Sequence, residues 1–192
     1  MINKEIEMKL PEGNFKADVI EFEESDRKKL LTIYENWRTL CNGLNEMQAR
    51  SVNLPEGLSE SAFCLEMNCV RTTGGVKKAG KIKVNTSFDG YNPSNNKRIQ
   101  VKACSVLPDL TSFGPKSVWD ELYFVDFYRD GSWDGKFDIY KIETADIYTN
   151  SVNSGQSFTD QQAEKRRPRF SIYSDIIKPK DIKPLKTGNL KI

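Results

Sequence analysis

From Ser25 onward, Leu30, Ile33, Tyr34, Trp37, Leu40, Cys41 and Leu44 recur at a helical period. The spacing predicts a helix that begins at a Ser25 N-cap, runs to about Gln48 and packs one stripe on the core. Residues 1–24, ahead of it, alternate only weakly and then turn acidic, which predicts a short strand or a loosely ordered arm. Asn53-Leu54-Pro55 breaks the chain, and Pro55 suits the first turn of a second helix reaching about Val70. Within it Glu56, Glu60, Phe63 and Met67 are spaced so that two carboxylates share one face. Thr73-Gly74-Gly75 is expected to end that element.

The period then shortens to two. Lys81 to Phe88 and Arg98 to Val106 are predicted strands, with the turn-rich GYNPSNN between them. Leu122 to Tyr128 and Lys136 to Ile142 form a predicted hairpin around RDGSWDG. A short helix follows at Glu143 to Ile147, then a loop through SVNSGQS, a helical stretch from Phe158 to Lys165, and a last strand at Pro168 to Tyr173. Residues 176–192, with Pro179, Pro184 and alternating lysines, are expected to be a basic extended tail. Helices first, strands in the middle and helices after them predict one α/β domain over residues 1–192, with a central mixed sheet flanked by helices.

Composition narrows the chemistry. The chain has 192 residues, enough for one sizeable core, and its 38% hydrophobic content argues for a globular fold. No apolar run approaches a membrane span, and MINKEIEMKL is too charged for a signal peptide, so a cytoplasmic protein is expected. The four cysteines form no CxxC pair and are expected as buried free thiols. Histidine is absent, which removes Ser-His-Asp and Cys-His hydrolysis and His-ligated zinc. Phosphate chemistry through hard oxygen ligands stays open. Charge is uneven: residues 1–66 hold 13 acids and 8 bases, whereas residues 163–192 hold 3 acids and 9 bases. That suits an anionic partner met on one side, and it equally suits a solvated lysine-rich tail.

Against this background SFDGYNPSNNKRIQVKAC stands out. Asp89 lies at a turn, and Gln100 and Lys102 follow on a strand, where alternation points them to the same face. Phosphodiester cleavage needs a lined-up water and positive charge on the phosphate oxygens. Asp89 with the amide oxygen of Gln100 would hold Mg2+, Lys102 would hold the attacking water, and Glu56 or Glu60 could add a carboxylate from the second helix. Asp-Gly is also an ordinary turn pair, Gln and Lys are ordinary on a solvated strand, and acids are favoured at a helix N-terminus. A second dense group is SFTDQQAEKRRPRFSI. Arginine can bind guanine through two hydrogen bonds and glutamine can do so with adenine, which makes Gln161, Gln162, Arg166, Arg167 and Arg169 candidate base readers. A basic surface turn is the plainer account of the same residues.

Four stretches, RSVNLPEGLSESAFC, SFDGYN…IQVKACSVLPDLTSFGPK, WDELYFVDFYRDGSWDGKFDIY and DQQAEKRRPRFSIY, resemble a small group of bacterial type II restriction endonucleases. The group belongs to the PD-(D/E)xK superfamily and is associated with the interrupted palindrome GCNGC. The resemblance runs from about Trp37 to the C-terminus. It implies a PD-(D/E)xK core and Mg2+-dependent cleavage of double-stranded DNA, leaving 5′-phosphate and 3′-hydroxyl ends. Asp89 and Lys102 match the superfamily's metal-binding aspartate and lysine. Gln100 stands where most members carry Glu or Asp, a departure that leaves the third ligand open among Gln100, Glu56 and Glu60. Glu56 is placed ahead of Glu60, so the expected metal ligands are Asp89, Gln100 and Glu56. A palindromic site further implies a homodimer, and a host methyltransferase that forms no stable complex with it. Arg50, Thr111 and Ser112 join the candidate DNA contacts. The alternatives are a repair or junction-resolving nuclease of the same fold, and a DNA-binding protein that has lost activity.

Overall fold

The computed structural model describes residues 1–77 and 87–191. The strands are β1 (Ile2–Leu10), β2 (Gly13–Glu21), β3 (Val70–Lys77), β4 (Gly90–Asn92), β5 (Lys97–Cys104) and β6 (Thr111–Ser112), followed by β7 (Glu121–Asp126), β8 (Lys136–Ile142), β9 (Ser151–Asn153), β10 (Gln156–Ser157), β11 (Arg169–Phe170) and β12 (Lys186–Asn189). The helices are α1 (Arg27–Glu46), α2 (Glu56–Met67), α3 (Thr144–Thr149) and α4 (Phe158–Ala163). One mixed sheet runs in the order β1-β2-β3-β4-β5-β7-β8-β12. Its neighbours are antiparallel except β5 and β7, which run parallel. Parallel neighbours need a crossover, and residues 105–120 supply it, carrying β6 out to pair with β11.

Along β7 the alternation turns Tyr123 and Val125 to one layer and Leu122 and Phe124 to the other, and all four are buried. Ile99, Val101, Tyr123, Val125, Phe137 and Ile139 pack under α1 and α2. On the opposite face Leu122, Phe124, Tyr140 and Ile142 pack with Ile147 of α3, Phe158 of α4 and Phe170. Such burial on both sides explains why β7 reads as a nearly continuous apolar run. All four cysteines are buried and free. Among the described residues no helix is long and apolar enough to cross a membrane.

Several boundaries depart from the expected ones. Residues 1–24 are no loose arm: β1 and β2 form a hairpin of nine residues on each strand, and Met8, Leu10, Phe15, Ala17 and Val19 bury against Val70, Phe88 and Tyr91. The stripe of α1 is narrower than its period suggested, since Ile33 and Leu40 are exposed. Thr73-Gly74-Gly75 does not end an element but lies inside β3, where the register against β2 shifts between Asp18 and Val19 and Thr73 Oγ1 donates to the Asp18 carbonyl at 2.9 Å. Glycine within a strand marks such irregularities. Most of the expected strand Lys81 to Phe88 lies outside the described residues. The SVNSGQS loop is a small β9–β10 hairpin, and the expected strand Pro168 to Tyr173 shrinks to β11, followed by a helical turn over Tyr173–Ile177.

The tail is the largest correction. Residues 186–189 form β12, which adds to the free edge of β8, and Leu190 is buried in the core below α1. Glu66 at the end of α2 holds this strand down through Lys186 at 2.9 Å and also binds Arg27 of α1 at 2.5 Å. Pairing to an open strand edge outweighs the solvation of scattered lysines.

Candidate active site

Asp89 ends the connection into β4, and its backbone is gripped on both sides. Its N–H donates to the Ile99 carbonyl of β5 at 2.9 Å, and its carbonyl accepts from the Thr72 N–H of β3 at 2.9 Å. The side chain turns back over β5, where Oδ2 accepts from the Val101 N–H at 2.8 Å and from Gln100 Nε2. Gln100 is 3% exposed, and its Oε1 is buried and accepts no hydrogen bond among the described residues. Lys102 follows on the same face, with Nζ 5.3 Å from the centre of the Phe113 ring.

Helix α2 brings the carboxylates. Glu60 is largely covered and accepts from Arg71 Nε of β3 at 2.6 Å, while Glu56, one turn earlier, is exposed. Burial, and then the charge of Glu60, push the Asp89 carboxyl up to about 7, against the Val101 amide and Lys102. Burial also raises Glu60, opposed by Arg71 and Lys102. Asp89, Gln100, Lys102 and Glu60 therefore form one electrostatic cluster, with Glu56 at its rim.

Hard divalent cations take oxygen ligands and retain waters. The donors here are the Asp89 carboxylate, the orphaned Oε1 of Gln100 and the α2 carboxylates, an oxygen set that fits such a cation. An unsatisfied buried carbonyl is costly, and a cation would satisfy it. Among the described residues no group of three or more His, Cys, Asp and Glu side chains is gathered closely enough to hold a metal.

The other candidates divide by exposure. Arg50 is exposed in the loop after α1. Arg167 and Arg169 are exposed on either side of buried Pro168, and Arg169 faces Ser112 in the β6–β11 pair. Arg166 is also exposed but is engaged by Glu164 at 3.2 Å. Gln162 donates to the Gly114 carbonyl at 3.3 Å. Gln161 and Thr111 are buried, Thr111 giving its hydroxyl to Asp109 at 2.8 Å, so neither presents a free edge to a groove. The Ser112 hydroxyl is buried without a partner among the described residues. Sequence reasoning missed Arg71 and Asp109. Arg71 meets Glu60 only through the fold, and Asp109, apart from its neighbour Thr111, is held by the distant segment Ser171 to Tyr173.

An oxygen-lined acid site with a lysine, in a chain that also exposes Arg167 and Arg169 beside the β6–β11 pair, has the chemistry to act on an anionic polymer. Comparison with known proteins gives the class. The type II restriction enzyme Bsp6I of Bacillus sp. (strain RFL6) is 32% identical over 177 residues, covering 91% of this chain and 94% of that protein. The present chain is a type II site-specific deoxyribonuclease. The sequence model of Bsp6I restriction endonucleases matches residues 22–179, and the chain belongs to that family. No solved structure matches.

Proposed function

We propose that this protein cuts both strands of DNA at a short palindromic site with Mg2+, leaving 5′-phosphate and 3′-hydroxyl ends. The observation that carries the reading is the contact between Asp89 and Gln100, with the buried Oε1 of Gln100 left without a donor and Lys102 on the same strand face. Asp89, Gln100 Oε1 and one α2 carboxylate would hold the cation. A divalent cation held there would supply positive charge for the scissile phosphate and make water easier to deprotonate. Lys102 holds the attacking water and offsets the charge that builds on phosphorus. Arg71 fixes Glu60, the α2 carboxylate whose charge weighs more on Asp89 than that of Glu56. The superfamily's core fold is consistent with the parallel β5–β7 pair and with α2 above it.

Two subunits related by a two-fold axis would cut the two strands of a palindrome, so the active species is a homodimer. GCNGC is the site suggested by the resemblance, and a separate methyltransferase would protect host DNA. Unmethylated phage-sized DNA, incubated with Mg2+ and in parallel with EDTA, tests the reading. Discrete metal-dependent fragments are expected, and sequencing their ends gives site and stagger. A smear would favour a structure-directed nuclease. Intact DNA that is nevertheless bound would favour an inactive DNA-binding protein.

A further inference from the structure

Asp109 is 4% exposed in the crossover between β5 and β7. A buried carboxylate is tolerated where donors surround it, and here four do. Thr111 Oγ1 donates at 2.8 Å, Ser171 Oγ at 2.5 Å, the Ile172 N–H at 3.0 Å and the Tyr173 N–H at 3.1 Å. Three of these come from a segment more than sixty residues away in sequence, directly after β11. Asp109 thereby ties both sides of the β6–β11 pair to one point.

That pair needs the tie. It contains two residues per strand, Ser112 opposite Arg169 and Thr111 opposite Phe170, which is too little ladder to fix its own register. A slip of one residue would turn Arg169 inward and Phe170 outward. On the catalytic side Phe113, next to the pair, lies beneath Lys102 Nζ and stacks on Phe170 with ring centres 5.6 Å apart. One short path thus joins Lys102 to the arginines.

We propose that Asp109 is the positioning residue that sets Arg167 and Arg169 relative to the catalytic strand, so that base discrimination depends on a carboxylate buried away from the DNA. The inference rests on the reading of these arginines as DNA contacts.

Asp109→Asn keeps the shape but turns an N–H2 toward donors. The measurement is kcat/KM on the cognate duplex divided by that on duplexes with a single altered base pair, alongside a thermal melt. Asp109→Asn is expected to lower this discrimination about tenfold, the scale of one lost bidentate base contact, with the cognate kcat changed far less. Arg169→Ala and Arg167→Ala serve as references and should lose discrimination at the same base pairs. If the arginine variants lose discrimination and Asp109→Asn lowers only the melting temperature, Asp109 is merely structural and the inference falls while the reading stands. If the arginine variants keep full discrimination, the reading of the DNA contacts falls, and the inference with it. Should Asp109→Asn show no cooperative melt, Thr111→Val and Ser171→Ala each remove one donor. Reduced discrimination in these two then supports the inference, and unchanged discrimination overturns it.

Discussion

Gln100 places a neutral amide against a carboxylate that is already raised to about 7 by burial and by Glu60. Gln100→Glu would put a second negative charge there, which repels Asp89 until a cation binds both. This variant is expected to keep cleavage activity and to bind Ca2+ more tightly, which calorimetry on the isolated protein measures. Asp89→Ala and Lys102→Ala should abolish cleavage while sequence-specific binding in Ca2+ persists in a gel-shift assay. Loss of binding in both would make the residues structural. Because a ligand carboxylate must be ionised, cation binding near pH 7 should release a proton from Asp89, and affinity should fall as pH drops below that value. Titrations in buffers of different ionisation enthalpy report the proton, and Asp89→Ala should eliminate it.

At the level of elements, β12 shows how a strand depends on one missing side chain. A Cβ on Gly188 would overlap the fully buried Phe137 ring and come within 2.9 Å of Glu66 Cγ. Gly188→Ala should therefore lift β12 from β8 and cost about 1–3 kcal/mol, the usual range for overpacking. Chemical denaturation measures the loss, and faster hydrogen exchange confined first to residues 186–189 would locate it. Helix α2 was readable because its carboxylates and its aromatic residue follow a helical period, and Phe63 is indeed fully buried. Its partner Arg71 was not, since no local spacing links a helix residue to the start of the next strand.

Across the whole molecule, Glu66 joins the start of α1, the end of α2 and the last strand. Burial alone would raise its carboxyl, but hydrogen bonds from Lys186 and Arg27 outweigh it and hold the group below its ordinary 4.5. A depressed acid stabilises the fold above its unfolded value, and that contribution fades as pH falls through the lowered folded value. Acidification below about 4.5 should thus loosen the C-terminal strand, visible as falling stability in pH-dependent melts. Glu66→Gln should cost about 2 kcal/mol at neutral pH, the scale of hydrogen bonds to a charged group, and should flatten that acid limb.

Periodicity and composition by themselves determined the α/β class, the two long helices and the β7–β8 hairpin, and they singled out Asp89, Gln100 and Lys102 as candidates. These are short-range properties: alternation sets faces, and residue type sets what a face can bind. The tertiary structure alone decided that both chain ends join the sheet, that Glu60 is held by Arg71, that Thr111 and Gln161 are buried, and that Asp109 ties β6 to the segment after β11. Each of those depends on which distant strand edge or buried donor is available, and no local window of residues contains that information.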